Sequence, residues 1–457
     1  MIRNLLFLGL FFACSCTETS PDTATLSPLQ VSPNGRYLQT VEGKPFFYLG
    51  DTAWELFHRL SKTEAQTYLS DRASKGFTVI QAVVLAELDG LHTPNAEGAV
   101  PLVNDDPTQW NEAYFAHVDA VVAMAADLDL YIGMLPTWGD KFNQKWGVGP
   151  EIFTPENARI FGERLGKRYQ DQPIIWILGG DRNPENEEDL QIVRAMAEGL
   201  EVGHGGKQLM TYHPQGDFNS ATWFHQDAWL DFNMFQSGHG SFNKPNYRKN
   251  YANYQLSPPK PTLDGEPRYE DHPVNWKPEE GWFLPFDVRQ AAYWNVFSGA
   301  CGHTYGNHNI WQMWQPDREP ISSARTPWQQ AMNQEGAQQM QHLRHLMQSR
   351  PWYEMRPDSS FLDGGSGQGA SKLLGLMAHD QSFAMVYSPY GMPIRLTSFL
   401  PADDLAAYWY NPRDGQGQEA LQQEAYYFSP PGGVKGGNDW VLVVEKKGRF
   451  EEAPGKP

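Results

Sequence analysis

The chain has 457 residues, a formal charge of -18 and 40% hydrophobic content, with 16 Trp, 20 Tyr and 24 Phe. That is chain enough for about two to three domains and a large core. The acid is spread along the sequence rather than gathered in a tail, which argues against a nucleic-acid partner and reads as a solubility feature. The surplus of aromatic side chains suits a site that stacks against flat or sugar-like ligands.

The first element in chain order is a targeting segment, "MIRNLLFLGLFFACSCTETSP". Arg3 supplies a positive start, and the apolar run from Leu5 to Phe12 is too short for a membrane-spanning helix. Ala13 and Ser15 precede Cys16, so the segment is similar to a bacterial lipoprotein signal over 1–16, with Cys16 (or Cys14) as the lipidated residue. An ordinary cleaved signal is the alternative. A protein of the bacterial cell envelope follows, periplasmic or surface-exposed, touching the membrane only through its anchor and expected as a monomer. A polar tether is expected over 17–32. Cys301 is the one cysteine beyond the signal, so the mature fold has no internal disulfide.

From 33 to 354 short apolar runs alternate with helix-like stretches. The runs are "PFFYLGDTAW", "TVIQAVVL", "LYIGMLPTW", "PIIWILGGD", "KQLMTYHP", "DFNMFQSGH", "KPTLDGEP" and "GHTYGNHNIW". Between the first two, Ser61 with Glu64 three residues on is a capping-box signature. A last amphipathic helix is expected over "PWQQAMNQEGAQQMQHLRHLMQS". Eight strands alternating with helices predict a (β/α)8 barrel, with a doubly wound open sheet as the alternative. Near Met355 the texture changes to short β-like runs separated by Gly, Pro, Asn and Asp. That predicts a small antiparallel β-sandwich over 355–457.

The predicted strands end in Asp51, Trp138, Asp181, His213, His239, Glu266, and His303 with Tyr305. In a barrel these ends form the active-site face. Asp181 ends the fourth strand and Glu266 the seventh, so the two carboxyls lie across the mouth from one another. Glycoside hydrolysis needs that arrangement: one acid protonates the leaving oxygen, and the other attacks the anomeric carbon or activates water. Each acid also has a plain structural reading. Asp181 could cap the helix that follows Pro184, and Glu266 could be a turn carboxylate paired with Arg268.

No nucleophile elbow, Walker loop, dinucleotide fingerprint or zinc-protease motif is present. His213, His239, His303 and His308 come from separate strand ends without metal-ligand spacing, so no metal and no cofactor is expected. Sugar contacts are expected instead from Asp51, Trp54, Trp138, Asn183, His213, His239, Arg268, Tyr305 and His308.

The segments "YLGDTAWELFHRLSKTEAQTYLSDRASKGFTVIQ", "WILGGDRNP", "DGEPRYE" and "GHTYGNHNIWQM" closely resemble glycoside hydrolase family 140, the apiosidase-like barrels. The C-terminal region resembles the β-sandwich often found behind that barrel and labelled collagen-binding. The resemblance implies a retaining glycosidase without cofactor, with Asp181 as acid/base and Glu266 as nucleophile. It implies a polysaccharide or oligosaccharide substrate, the family's characterised activity being release of apiose-linked side chains from rhamnogalacturonan-II. Alternatives are a different sugar specificity, and a non-catalytic glycan-binding or adhesin protein at the cell surface.

Overall fold

The structure, a computed structural model, describes residues 26–398 and 400–456. The signal, Cys14 and Cys16 lie outside the described residues. The eight apolar runs form eight strands: β1 (Tyr48–Thr52), β2 (Val79–Leu85), β3 (Tyr131–Thr137), β4 (Ile174–Gly179), β5 (Met210–His213), β6 (Asn233–Phe235), β7 (Thr262–Asp264) and β8 (Gly302–Tyr305). All pairs among them are parallel, and β8 pairs with β1, with Gly302 opposite Tyr48 and Tyr305 opposite Asp51. That pairing closes the sheet and removes the open-sheet alternative. Between β5 and β6, and between β7 and β8, isolated hydrogen bonds stand in for a ladder: Asp231 N to Met210 O at 2.9 Å and Cys301 N to Thr262 O at 3.0 Å.

The unbroken apolar runs follow from burial on both faces. In β2, Val79 and Val83 point into the barrel with Ile175, Ile177, Leu135 and Leu263. Their neighbours Ile80, Ala82 and Val84 pack outward against the helices. The capping box on the first long helix, Lys62–Ser74, is present as read.

Two expectations are corrected. The tether expected over 17–32 does not extend that far: Leu29–Val31 is a strand paired with Leu38–Thr40. Leu29 and Leu38 plug the barrel's N-terminal mouth, and Tyr131 donates to Ser27 O at 2.5 Å. The helix expected after Pro327 is broken into Trp328–Ala331 and Glu335–Gln348. Glu270 intervenes, its carboxylate accepting from Gly336 N at 2.9 Å, so the second piece starts where a buried acid holds its first turn.

Beyond the barrel, six antiparallel strands form one sheet in the order Met355–Pro357, Leu374–Ala378, Phe383–Ser388, Trp440–Lys446, Leu405–Tyr410, Gly417–Glu419. One face carries its own small core under a two-stranded ribbon, Ile394–Arg395 with Tyr427–Phe428. On the other face Leu374, Met385, Tyr387, Tyr410 and Val443 belong to the barrel's outer core. Helix Pro285–Phe297 supplies the seam: Tyr293 stacks on Tyr387 at 4.9 Å, and Arg289 grips Asp439 with Nε and Nη2 at 3.1 and 2.8 Å. No helix of the described residues is long and apolar enough to cross a membrane.

Candidate active site

Asp181 owes its position to the two residues before it. The backbone is left-handed at Gly179 and Gly180, with φ of +94° at each, and still left-handed at Asp181, with φ of +50°. A Cβ on Gly179 would lie 2.4 Å from the His213 carbonyl oxygen, and one on Gly180 would lie 3.0 Å from Trp138 Cα. Only glycines let the ends of β3, β4 and β5 close on one another here, and aspartate is among the few side chains that tolerate the left-handed turn that follows. The chain thereby swings Asp181 over the barrel mouth. It does not cap the next helix, which begins at Glu187 and is capped by Asn186 accepting from Asp189 N at 2.9 Å.

Glu266 leaves β7 through Gly265, whose carbonyl accepts from the interior Gln81 Nε2 at 3.1 Å. Two histidines from neighbouring strands meet its carboxylate. His239 Nε2 lies 3.0 Å from Oε1 and His213 Nε2 lies 3.1 Å from Oε2. The other ring nitrogen of His213, Nδ1, accepts from Asp181 N at 3.0 Å. A neutral imidazole that accepts at Nδ1 carries its proton on Nε2, facing Glu266. One ring therefore touches both acids, taking a hydrogen bond from Asp181 N and placing Nε2 against Glu266 Oε2 off the axis of a hydrogen bond.

The two carboxyls are driven apart in acidity. Burial, then the negative charge of Glu266, pushes Asp181 up to about 7. Burial also opposes ionisation of Glu266, but the imidazole N–H groups of His213 and His239 that face it outweigh burial and bring that carboxyl down to about 2. One acid is protonated near neutrality while the other is ionised, the division of labour that acid-assisted bond cleavage requires.

Both line a cleft of about 450 Å3, well within the size range of small-ligand sites. Trp54, Trp138 and Trp311 form its floor, Trp54 and Trp138 packing at 5.3 Å. The indole nitrogen of Trp138 is buried without a hydrogen-bond partner among the described residues.

Of the expected sugar contacts, Trp54, Trp138 and His239 line this cleft, and His213 reaches it through Glu266. Five lie elsewhere. Asp51 is fully buried against Arg72 Nε and Tyr68 hydroxyl, each at 2.5 Å, and orients β1 rather than a ligand. Asn183 is spent on Gln215 N at 3.0 Å. Tyr305 donates to Glu270 at 2.5 Å. His308 sits beneath the rim with Nε2 3.0 Å from Ser322 O. Arg268 does not pair with Glu266; it is buried towards Asp287, Asp264 and Tyr387, on the side of the C-terminal sheet. A residue two beyond Glu266 points the opposite way as the chain turns off β7, and spacing alone does not reveal that.

Among the cleft residues that the sequence reading does not name are Glu87, Trp146, Tyr269 and Trp276. Glu87 stands two residues past the end of β2, as Asp181 does past β4, so the strand-end rule that finds Asp181 applies to it as well. Its carboxyl is raised well above the usual range by burial and by the charges of Asp181, Glu55 and Asp140. Trp146 and Trp276 stand in turn-rich stretches, "QKWGVG" and "VNWKPE", where a large aromatic has no core to join. Trp276 is 49% exposed, is held at φ +63° and edges onto His272 at 4.4 Å. Tyr269 packs on His239 at 4.4 Å.

A closed parallel barrel with such a carboxyl pair at its C-terminal mouth belongs to the class of glycoside hydrolases. Comparison with solved structures agrees. The chain is 32% identical to a protein described as a glycoside hydrolase, covering 93% of this chain and 98% of that one with a TM-score of 0.84. It is also 32% identical to a glycoside hydrolase family 5 protein from Bacteroides vulgatus ATCC 8482, covering 94% and 96% with a TM-score of 0.85. No curated protein gives a match. Residues 32–354 match the model "Apiosidase-like, catalytic domain", and the chain belongs to that apiosidase-like family of glycoside hydrolases. Residues 356–445 match a model described as "Putative collagen-binding domain of a collagenase".

Proposed function

We propose that this protein is a retaining glycosidase that releases apiose-linked side chains from the pectin rhamnogalacturonan-II, with Asp181 as acid/base and Glu266 as nucleophile. The observation that carries the assignment is the opposed acidity of two carboxyls joined through His213 in one cleft. In the first step Glu266 attacks the anomeric carbon while Asp181 gives its proton to the departing oxygen. In the second, Asp181 takes a proton from water, and the resulting nucleophile releases the sugar from Glu266. His213 and His239 keep Glu266 ionised for the attack and steady it as the leaving group of the second step. Support for the sugar comes from the family alone. The aromatic floor suits a carbohydrate, and the cleft carries more acid than base, since Lys244 at its rim is engaged with Asp217 at 2.7 Å.

The proposal extends to location: a lipid anchor at Cys16 (or Cys14) in a bacterial cell envelope. The C-terminal sheet serves as a fixed buttress of the barrel, supported by its shared core and buried ion pairs.

Incubation with rhamnogalacturonan-II side-chain oligosaccharides, with NMR of the first-formed product, tests the activity. Retained anomeric configuration and free apiose are expected. Inverted product would remove the nucleophile role, and release of another sugar would remove the substrate.

A further inference from the structure

The acid of a glycosidase must present its proton to one point in space, and a carboxyl has two oxygens. In this cleft they are not equivalent. The indole Nε1 of Trp146 donates to Asp181 Oδ2 at 2.8 Å, and among the described residues no other side chain donates to that carboxyl. Indole N–H donates only, and the carbonyl-type oxygen of a protonated carboxyl is the stronger acceptor, so the hydrogen bond at Oδ2 favours the proton on Oδ1.

The indole is held by structure outside the reaction. Its ring lies over the Arg182 guanidinium at 4.4 Å, and its carbonyl accepts from Arg182 Nη2 at 2.6 Å. Arg182 is fully buried beneath it. The loop is pinned further on, where buried Asp140 accepts from Val148 N and Gly149 N at 3.0 and 2.8 Å and pairs with Lys141 at 2.8 Å. Before the indole, Lys145 pairs with Glu185. Each of these fixes the donor without a hydrogen bond to the Asp181 carboxyl, so together they form a support for the donor.

We propose that Trp146 is a positioning residue that confines the catalytic proton of Asp181 to Oδ1 in both halves of the reaction. This rests on the reading of Asp181 as the acid/base. In the first half the Oδ1–H bond breaks and the proton goes to the glycosidic oxygen, which takes the electron pair of the breaking C–O bond. In the second half Oδ1 receives a proton from the attacking water, and the starting state returns. Trp146 exchanges no proton with the substrate.

The groups facing Asp181 are Glu266 from the end of β7, His213 from β5, Arg182 from its own loop and Glu87 from the end of β2. None of them changes when Trp146 loses its N–H. The indole hydrogen bond favours the ionised carboxyl, so its removal raises the pH at which Asp181 loses its proton. A loosened loop has the opposite sign, because water entering the cleft relieves the burial that holds Asp181 protonated.

The test uses the full chain with Trp146→Phe, and a second protein carrying benzothienylalanine at 146, which keeps the bicyclic ring and replaces N–H with sulfur. The pH dependence of kcat/KM is measured with aryl and alkyl glycosides of the sugar the wild type releases, alongside Asp181→Asn. In both proteins the basic limb should move up by about one pH unit. Turnover of the alkyl glycoside should fall roughly tenfold at the wild-type optimum, with the aryl glycoside little changed. A limb that stays in place or moves to lower pH in the benzothienyl protein overturns the proposal. An Asp181→Asn variant with equal losses on both glycosides overturns the acid/base reading itself, whatever the Trp146 proteins show.

Discussion

Two regions of this molecule bury charge, and they do it in opposite ways. At the seam between barrel and C-terminal sheet two buried acids face guanidiniums: Arg289 takes Asp439 with two nitrogens, and Arg350 takes Glu445 at 2.8 and 3.2 Å. At the barrel mouth three acids, Glu87, Asp181 and Glu266, share one cleft, and the groups that meet Glu266 are imidazoles rather than guanidiniums. A matched pair gives each buried charge a partner, so removing one partner strands the other in a desolvated site. Crowded acids cannot all ionise, so one holds its proton and another loses it. The seam is built to hold two domains together, and the mouth to hold two protonation states apart.

The sharpest way to break the comparison is at the mouth. Glu266→Gln keeps shape and burial but removes the attacking charge, and turnover should drop by roughly 10^4-fold or more while the melting temperature stays near wild type. Asp181→Asn should cost about 10^2–10^4-fold with poor leaving groups and far less with activated aryl glycosides, with added azide restoring part of the aryl turnover. Equal losses on both substrates would contradict the acid role.

At the seam the readouts should exchange places. Asp439→Ala strands the Arg289 guanidinium in a buried site and should lower stability by about 3–5 kcal/mol in chemical denaturation, with kcat of the folded enzyme nearly unchanged. Removing residues 355–457 should act in the same direction and more severely on solubility, because it bares the apolar face that packs under Leu374, Met385 and Val443. A soluble barrel of undiminished melting temperature would show that the two parts are separable.

The smallest effect sharpens the contrast through pH. In the proposed mechanism Asp181 works only while protonated, so kcat/KM should fall as pH rises through about 7; Glu266 works there only while ionised, so the acidic limb should lie far lower, near 2. A profile flat through neutrality would mean that the mouth does not separate its acids.

Much of this was legible in the sequence for a plain reason. Strand runs buried on both faces are continuous and apolar, and the polar residue that ends each run is where the chain meets solvent. The eight strands, the two acids, the break before Met355 and the capping box at Ser61 and Glu64 are all local patterns. What the sequence could not carry is direction and company. Arg268 and Glu266 are two residues apart yet face a seam and a cleft, because the chain turns off β7 between them. Tyr305 and Asp51 end strands as Asp181 does, but meet Glu270 and Arg72 from elsewhere in the chain and are used up inside the wall. Trp146 becomes a partner of Asp181 only because Arg182 stacks beneath it, 36 residues along the chain. Periodicity and composition record what each residue prefers, whereas hydrogen bonds between distant strands, and the acidities that follow from them, exist only once the barrel has closed.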